Sequence, residues 1–142
     1  MFLDASAIVG ILGRDPGHEE LEKRLAGAGP SFFVSPLVKF EASVALARQK
    51  NQSSAASVKP SAAALRQAIA AVDAFVEDLD VEEVPISPEI GKAALDATVA
   101  YGKTVGHPAD LNFGDCFAYA CAKLLGVPLL YKGNDFSRTD LA

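Results

Sequence analysis

At 142 residues, half of them apolar and 22% charged, the chain has the size and composition of one globular domain able to bury a core without disulfide staples. A net charge of −5 excludes a broad polyanion-binding surface, which needs clustered Lys and Arg, but leaves room for a local basic rim; a cluster of carboxylates also makes the bare count misleading until cations bind. No apolar run approaches the ~20 residues of a membrane span, and no basic segment of a signal peptide precedes the first apolar run, so a cytoplasmic protein with no membrane association is expected.

Met1-Phe2-Leu3 predicts a strand over residues 1–4 that closes on Asp4, with Ser6 as candidate cap of a short helix over 6–13. That helix stops before Arg14-Asp15-Pro16-Gly17, and a second one covers 17–27. Phe32-Phe33-Val34 reads as a short buried strand, after which Pro36 opens the helix that carries Glu41. Gln49 to Ser61 are polar, serine-rich and aperiodic, which predicts a mobile connection. A long helix follows from Pro60 to Leu79, with Leu65, Ile69, Val72, Phe75, Val76 and Leu79 on one stripe. That stripe suits core packing, and part of it could also form a groove for a partner helix.

Residues 82–86 form a third strand candidate, followed by a helix over 88–103. Asp115 opens another helix after Asn112-Phe113-Gly114, which runs to Leu125 and is stopped by Gly126. The last strand, 128–131, leads through the turn Lys132-Gly133-Asn134 to Asp135. Strands separated by helices predict an α/β fold: a mainly parallel central sheet in three α/β/α layers, one domain over 1–142, with no internal repeat.

In such sheets ligands gather at the carboxyl ends of the strands, where Asp4, Asp115 and Asp135 are expected. Glu41 has Leu37, Val38, Val44 and Ala45 as helical neighbours, so its carboxylate lies in an apolar stripe where ionisation is costly unless a cation is near. Taken singly, Asp115 reads as an acid of a helix N-terminus and Asp4 and Asp135 as cap or turn residues. Taken together, four acids at matching positions predict a metal site. All are oxygen donors, which favours Mg²⁺ or Mn²⁺ over Zn²⁺. His18 and His107 have no ligand-spaced partner, and Cys116 and Cys121, five apart on one helix, point ~140° away from each other, as core thiols would.

MFLDASAIVGIL, the helical Glu41, LNFGDCFAYACAK and PLLYKGNDFSRTDLA, in this order from Met1 to Ala142, resemble the PIN-domain ribonucleases, most closely the VapC toxins of type II toxin–antitoxin systems. The 49–61 connection departs from compact members by its length. The resemblance implies that Asp4 and Asp115 bind the divalent cation directly and that Glu41 and Asp135 complete the acidic pocket. Ser6 resembles the small hydroxyl residue that lines this pocket, with Asn112 close by. Endonucleolytic hydrolysis of RNA, leaving 3′-hydroxyl and 5′-phosphate ends, is implied as the activity. A VapB-type antitoxin, whose tail enters the pocket, and a homodimer within a toxin–antitoxin hetero-oligomer are implied as partners.

Arg14, Lys39, Lys132 and Arg138 flank the acidic segments and are candidate RNA contacts, or solvated surface charges. A haloacid-dehalogenase phosphatase would need a second acid where Ser6 stands. A receiver-like Mg²⁺-binding signalling domain would need a phosphoacceptor and a strand-end lysine that are not evident. A catalytically silent PIN fold that only binds RNA is the remaining alternative, against which the presence of all four acids argues.

Overall fold

A computed structural model describes residues 1–51 and 59–141. Among these residues four short strands carry the architecture: β1 (Phe2–Leu3), β2 (Phe33–Val34), β3 (Glu82–Glu83) and β4 (Leu129–Leu130). They pair in the order β3-β2-β1-β4, every pair parallel, with Phe2 opposite both Phe33 and Leu129. Phe2, Leu3, Val34, Leu129 and Leu130 are all buried, so the inner strands are covered on both faces and can be apolar throughout. Glu82 and Glu83 are exposed, and their charge blunts the edge that β3 presents. The α/β fold with a parallel sheet is as the sequence predicts.

Among the described residues six helices connect and cover the strands: α1 (Ala5–Leu12), α2 (His18–Gly27), α3 (Pro36–Asn51), α4 (Ala62–Asp78), α5 (Pro88–Tyr101) and α6 (Phe113–Leu125). Among the described residues none is long and apolar enough to cross a membrane. α3 packs on α1 and α4, α5 on α6, and α3 also touches α6, which brings Glu41 and Asp115 toward β1. The α4 stripe buries Ala68 and Val72 and half-buries Leu65, Phe75, Val76 and Leu79, whereas Ile69 is exposed.

Several boundaries differ from expectation for identifiable reasons. Ser6 does not cap α1. Asp4 does, its carboxylate accepting from the Ser6 N–H, because β1 passes into the helix with no loop between them. α3 extends through Gln49, Lys50 and Asn51, so the start of the expected 49–61 connection is helical; residues 52–58 lie outside the described residues. Ser61 caps α4 at Ala64, one residue after Pro60. α5 ends at Tyr101 because Gly102 turns extended (ψ 151), and Lys103–Val105 form a separate 3₁₀ turn. α6 stops at Gly126, whose φ of 65 is the left-handed cap that glycine takes without strain.

After β4 the chain closes with a 3₁₀ segment, Asp135–Arg138. Phe136 is 1% exposed and its ring lies 5.0 Å from that of Tyr131, so one buried aromatic fixes the segment that carries Asp135. Replacing Phe136 with Ala is expected to cost about 3–5 kcal/mol, the usual penalty for emptying a buried aromatic site. Chemical denaturation of the variant checks this; a midpoint equal to wild type would mean that the segment is anchored elsewhere.

Candidate metal centre

Asp4 is placed by the sheet itself. Its N–H donates to the Leu130 carbonyl at 2.9 Å, continuing the β1–β4 ladder by one residue, so the side chain emerges at the carboxyl edge of the sheet. The residue is 4% exposed. Its Oδ2 accepts from the Ser6 N–H at 2.9 Å and from the Ser6 hydroxyl at 2.5 Å. Ser6 Oγ in turn accepts from the Lys132 N–H at 3.0 Å, tying the end of β4 to the same carboxylate.

Asp115 is fixed by a capping box at the start of α6. Its Oδ2 accepts from the Asn112 N–H at 2.8 Å while Asn112 Oδ1 accepts from the Asp115 N–H at 3.0 Å. The cap and the metal reading therefore share one side chain: one oxygen is committed to the helix end.

Glu41 enters from α3 and lies against Gly114. A Cβ at position 114 would fall inside van der Waals contact with both Glu41 oxygens and with its Cδ at 2.5 Å, so the carboxylate uses space that only glycine leaves. The expected apolar stripe is incomplete. Val38 is buried and Val44 half-buried, but Ala45 is exposed and lines the same cavity as Glu41. Glu41 is thus a half-buried acid at a cavity wall, and no hydrogen bond links it to another described residue.

These three acids and Asp135 line one cavity of about 370 Å³, with Ser6 and Asn112 also on its wall. Burial raises the pKa of Asp4, opposed by the Ser6 hydroxyl and the N–H groups of Ser6 and Ala5. Burial, then the charges of Asp4 and Asp115, push Glu41 up to about 7. Asp115 rises to about 6, first by burial, against the lowering Asn112 N–H, with Asp4, Asp135 and Asp110 adding repulsion. The acids are electrostatically one group, and among the described residues no cation offsets Glu41.

Among the described residues, no three His, Cys, Asp or Glu side chains stand in a closed ligating geometry as they lie. Mg²⁺ does not require one, because it keeps several waters and takes one or two carboxylates. The donor set fits such a cation: hard oxygens, mutual repulsion and, among the described residues, no competing cation on Glu41. His18 Nδ1 contacts the Asp15 carbonyl oxygen and His107 Nδ1 accepts from the Ala109 N–H, and neither imidazole lines the cavity. Both cysteines are buried free thiols, and burial pushes Cys121 up to about 11.

The four basic candidates separate. Lys132 lines the cavity. Lys39 is held by Asp73 at 2.9 Å and Glu83 at 3.2 Å beside a different groove, between α3 and α4. Arg14, in a left-handed turn (φ 51), and Arg138 are exposed and do not line the acidic cavity. Asp15 was not expected there, yet it lines the cavity and pairs with Lys132. Gly114 likewise carried no sequence signal beyond its place beside Asp115.

Known proteins share this architecture. The chain is 51% identical to a VapC ribonuclease of Rhizobium meliloti over 140 residues, 99% of this chain and 98% of that protein. It is 30% identical to ribonuclease VapC42 of Mycobacterium tuberculosis over 141 residues, 99% of this chain and 96% of the relative. Among solved structures it resembles Mycobacterium tuberculosis VapC20, a sarcin-ricin loop cleaving toxin, with a TM-score of 0.68 at 19% identity, covering 96% and 92% of the two chains. A toxin–antitoxin complex from Klebsiella pneumoniae matches with a TM-score of 0.61 at 16% identity, covering 99% and 92%. The profile of the PIN domain matches residues 1–141. With that span and those relatives, the chain belongs to the PIN domain family, among the VapC ribonucleases.

Proposed function

We propose that this VapC-type chain is a metal-dependent endoribonuclease that hydrolyses RNA phosphodiester bonds at the acidic cavity and is restrained by a VapB-type antitoxin. The observation that carries this reading is the meeting of Asp4, Glu41, Asp115 and Asp135 on one cavity wall, in a chain half identical to a VapC ribonuclease along its length. Asp4 and Asp115 would hold Mg²⁺ or Mn²⁺ through the oxygens that Ser6 and Asn112 leave uncommitted. When bound, a hard divalent cation supplies charge neutralisation at the phosphoryl oxygens and lowers the pKa of water.

The protein's own share is placement. Ser6 holds Asp4 Oδ2, so that carboxylate cannot rotate away from the sheet edge. Glu41, whose oxygens have no hydrogen-bond partner among the described residues, orients water on the α3 side, and the exposed Asp135 does so from the segment after β4. A homodimer and a cytoplasmic location belong to the same reading. Both would be checked by the oligomeric state in solution and by cell fractionation.

Substituting Asp4 with Asn keeps the side-chain shape and an acceptor for the Ser6 N–H while removing the charge. Metal-dependent RNA cleavage should fall by more than about a hundredfold, beyond the loss typical of an outer-shell ligand partner, with the melting temperature of the metal-free protein unchanged or higher. Wild-type cleavage rates in this variant would sink the assignment. Gly114→Ala tests Glu41 separately. The new methyl displaces the carboxylate, so cleavage should fall about tenfold or more without loss of secondary structure; full activity would show that Glu41 has no part.

The raised carboxyls also set a pH dependence. Folded Glu41 and Asp115 hold protons up to about 7 and 6, above their ordinary values of 4.5 and 3.8. At these two groups the folded metal-free chain therefore binds more protons than the unfolded one across that window. The stability that these two groups contribute is fully present below the ordinary values and is lost as pH rises through the folded ones. A bound cation displaces those protons, so the rise in melting temperature on adding Mn²⁺ should be larger at about pH 7.5 than at about pH 5.5. An equal rise at both would contradict binding at these acids.

A further inference from the structure

The acidic cavity contains a fifth carboxylate and a cation that the four-acid set does not use. Asp15 and Lys132 line it, and Lys132 is the one cationic residue on its wall among the described residues. Lys132 is held at three points. Its N–H donates to Ser6 Oγ at 3.0 Å. Its stem crosses α1 at Gly10, where an added Cβ would stand 3.1 Å from the Lys132 Cδ. Its ammonium donates to Asp15 Oδ2 at 2.5 Å. Asp15 is itself fixed, because its Oδ1 accepts from Gln49 Nε2 near the end of α3.

Three different elements thus converge to place one ammonium at the cavity wall. The Asp15 side chain is 17% exposed and that of Lys132 34%, so the lysine keeps an open side. An unrestrained ammonium beside four mutually repelling carboxylates would fold onto them and compete with a divalent cation. Asp15 gives it a different anion, which leaves the four acids available and still sets one positive charge next to them. An RNA phosphate entering a cavity walled by five carboxylates needs such a charge, and a lysine ammonium is a suitable point partner for phosphate oxygens.

We infer that Lys132 binds a phosphate of the RNA strand at this cavity and that Asp15 and Gln49 are positioning residues for its ammonium, an inference that rests on the ribonuclease reading above. Cleavage of a single-stranded RNA oligonucleotide, its binding by fluorescence anisotropy across a salt series, and the Mn²⁺-induced shift in melting temperature test it. Lys132→Met should raise KM roughly tenfold, as loss of a charge-assisted contact does, and flatten the salt slope by about 0.7, the increment for one phosphate on a single strand. Its Mn²⁺ shift should be at least as large as wild type. Lys132→Arg should restore the salt slope. Asp15→Asn should raise KM while keeping the slope, since the ammonium is still present but no longer placed.

A purely structural tie would lower the melting temperature and move neither KM nor slope. Wild-type KM and slope in Lys132→Met would overturn the inference and leave the ribonuclease reading standing. A wild-type protein that shows neither cleavage nor a Mn²⁺ shift would overturn both.

Discussion

The buried carboxylate of Asp4 is the constraint on which the site depends. One residue continues the β1–β4 ladder, caps α1 and presents an acid to the cavity. A buried acid is tolerated only where hydrogen bonds or counter-charge compensate its desolvation. Ser6 supplies two such bonds through its N–H and hydroxyl, and the hydroxyl passes the constraint on to the Lys132 N–H. The ends of β1 and β4 and the first turn of α1 are therefore locked to one side chain. Their hydrogen bonds lower the pKa of Asp4 but burial still raises it on balance, so the fold itself leaves the charge incompletely satisfied.

α3 and α6 complete the cavity by a close approach. Glu41 can reach it because Gly114 presents bare backbone in the first turn of α6. Glycine inside a helix costs about 0.5–1 kcal/mol relative to Ala. The capping box of Asn112 and Asp115 offsets part of that at the same helix end, since a side-chain cap contributes about 1 kcal/mol. Sequence neighbours 112, 114 and 115 thus do separate work: one caps, one makes room and one presents the acid.

How much of this was legible follows from whether the signal was local. Apolar runs, Pro36, Gly126 and the acids at strand ends are local, and they were enough to anticipate the parallel sheet and the meeting of the four carboxylates. The cap of α1 is Asp4 rather than Ser6 because a strand that passes directly into a helix makes the residue at the junction the cap. Lys39 could have been set aside from helical geometry, since two residues from Glu41 is about 200° around the helix; it faces Asp73 and Glu83 instead. The Asp15–Lys132 pair spans 117 residues, and each member alone looks like an ordinary turn charge. Gly114 was hidden for the same reason, because its neighbour Glu41 comes from another helix.

Stability alone gives no reason for this arrangement. Burial and mutual repulsion raise Asp4, Glu41 and Asp115 together, so the metal-free fold carries its acids at a cost that amides of the same shape would avoid. Asp135 adds to that repulsion from an exposed position at the start of the 3₁₀ turn. Lys132 could neutralise part of the cluster, yet it is tied to Asp15 by contacts from α1, the end of α3 and the end of β4. Several parts of the chain thus keep a repulsive group of carboxylates intact and keep the one cation on the cavity wall among the described residues paired with Asp15. On the proposed metal-dependent reading, repulsion maintained in this way would be relieved by a cation arriving from solution, and the unfavourable electrostatics of the fold would be a source of affinity for it.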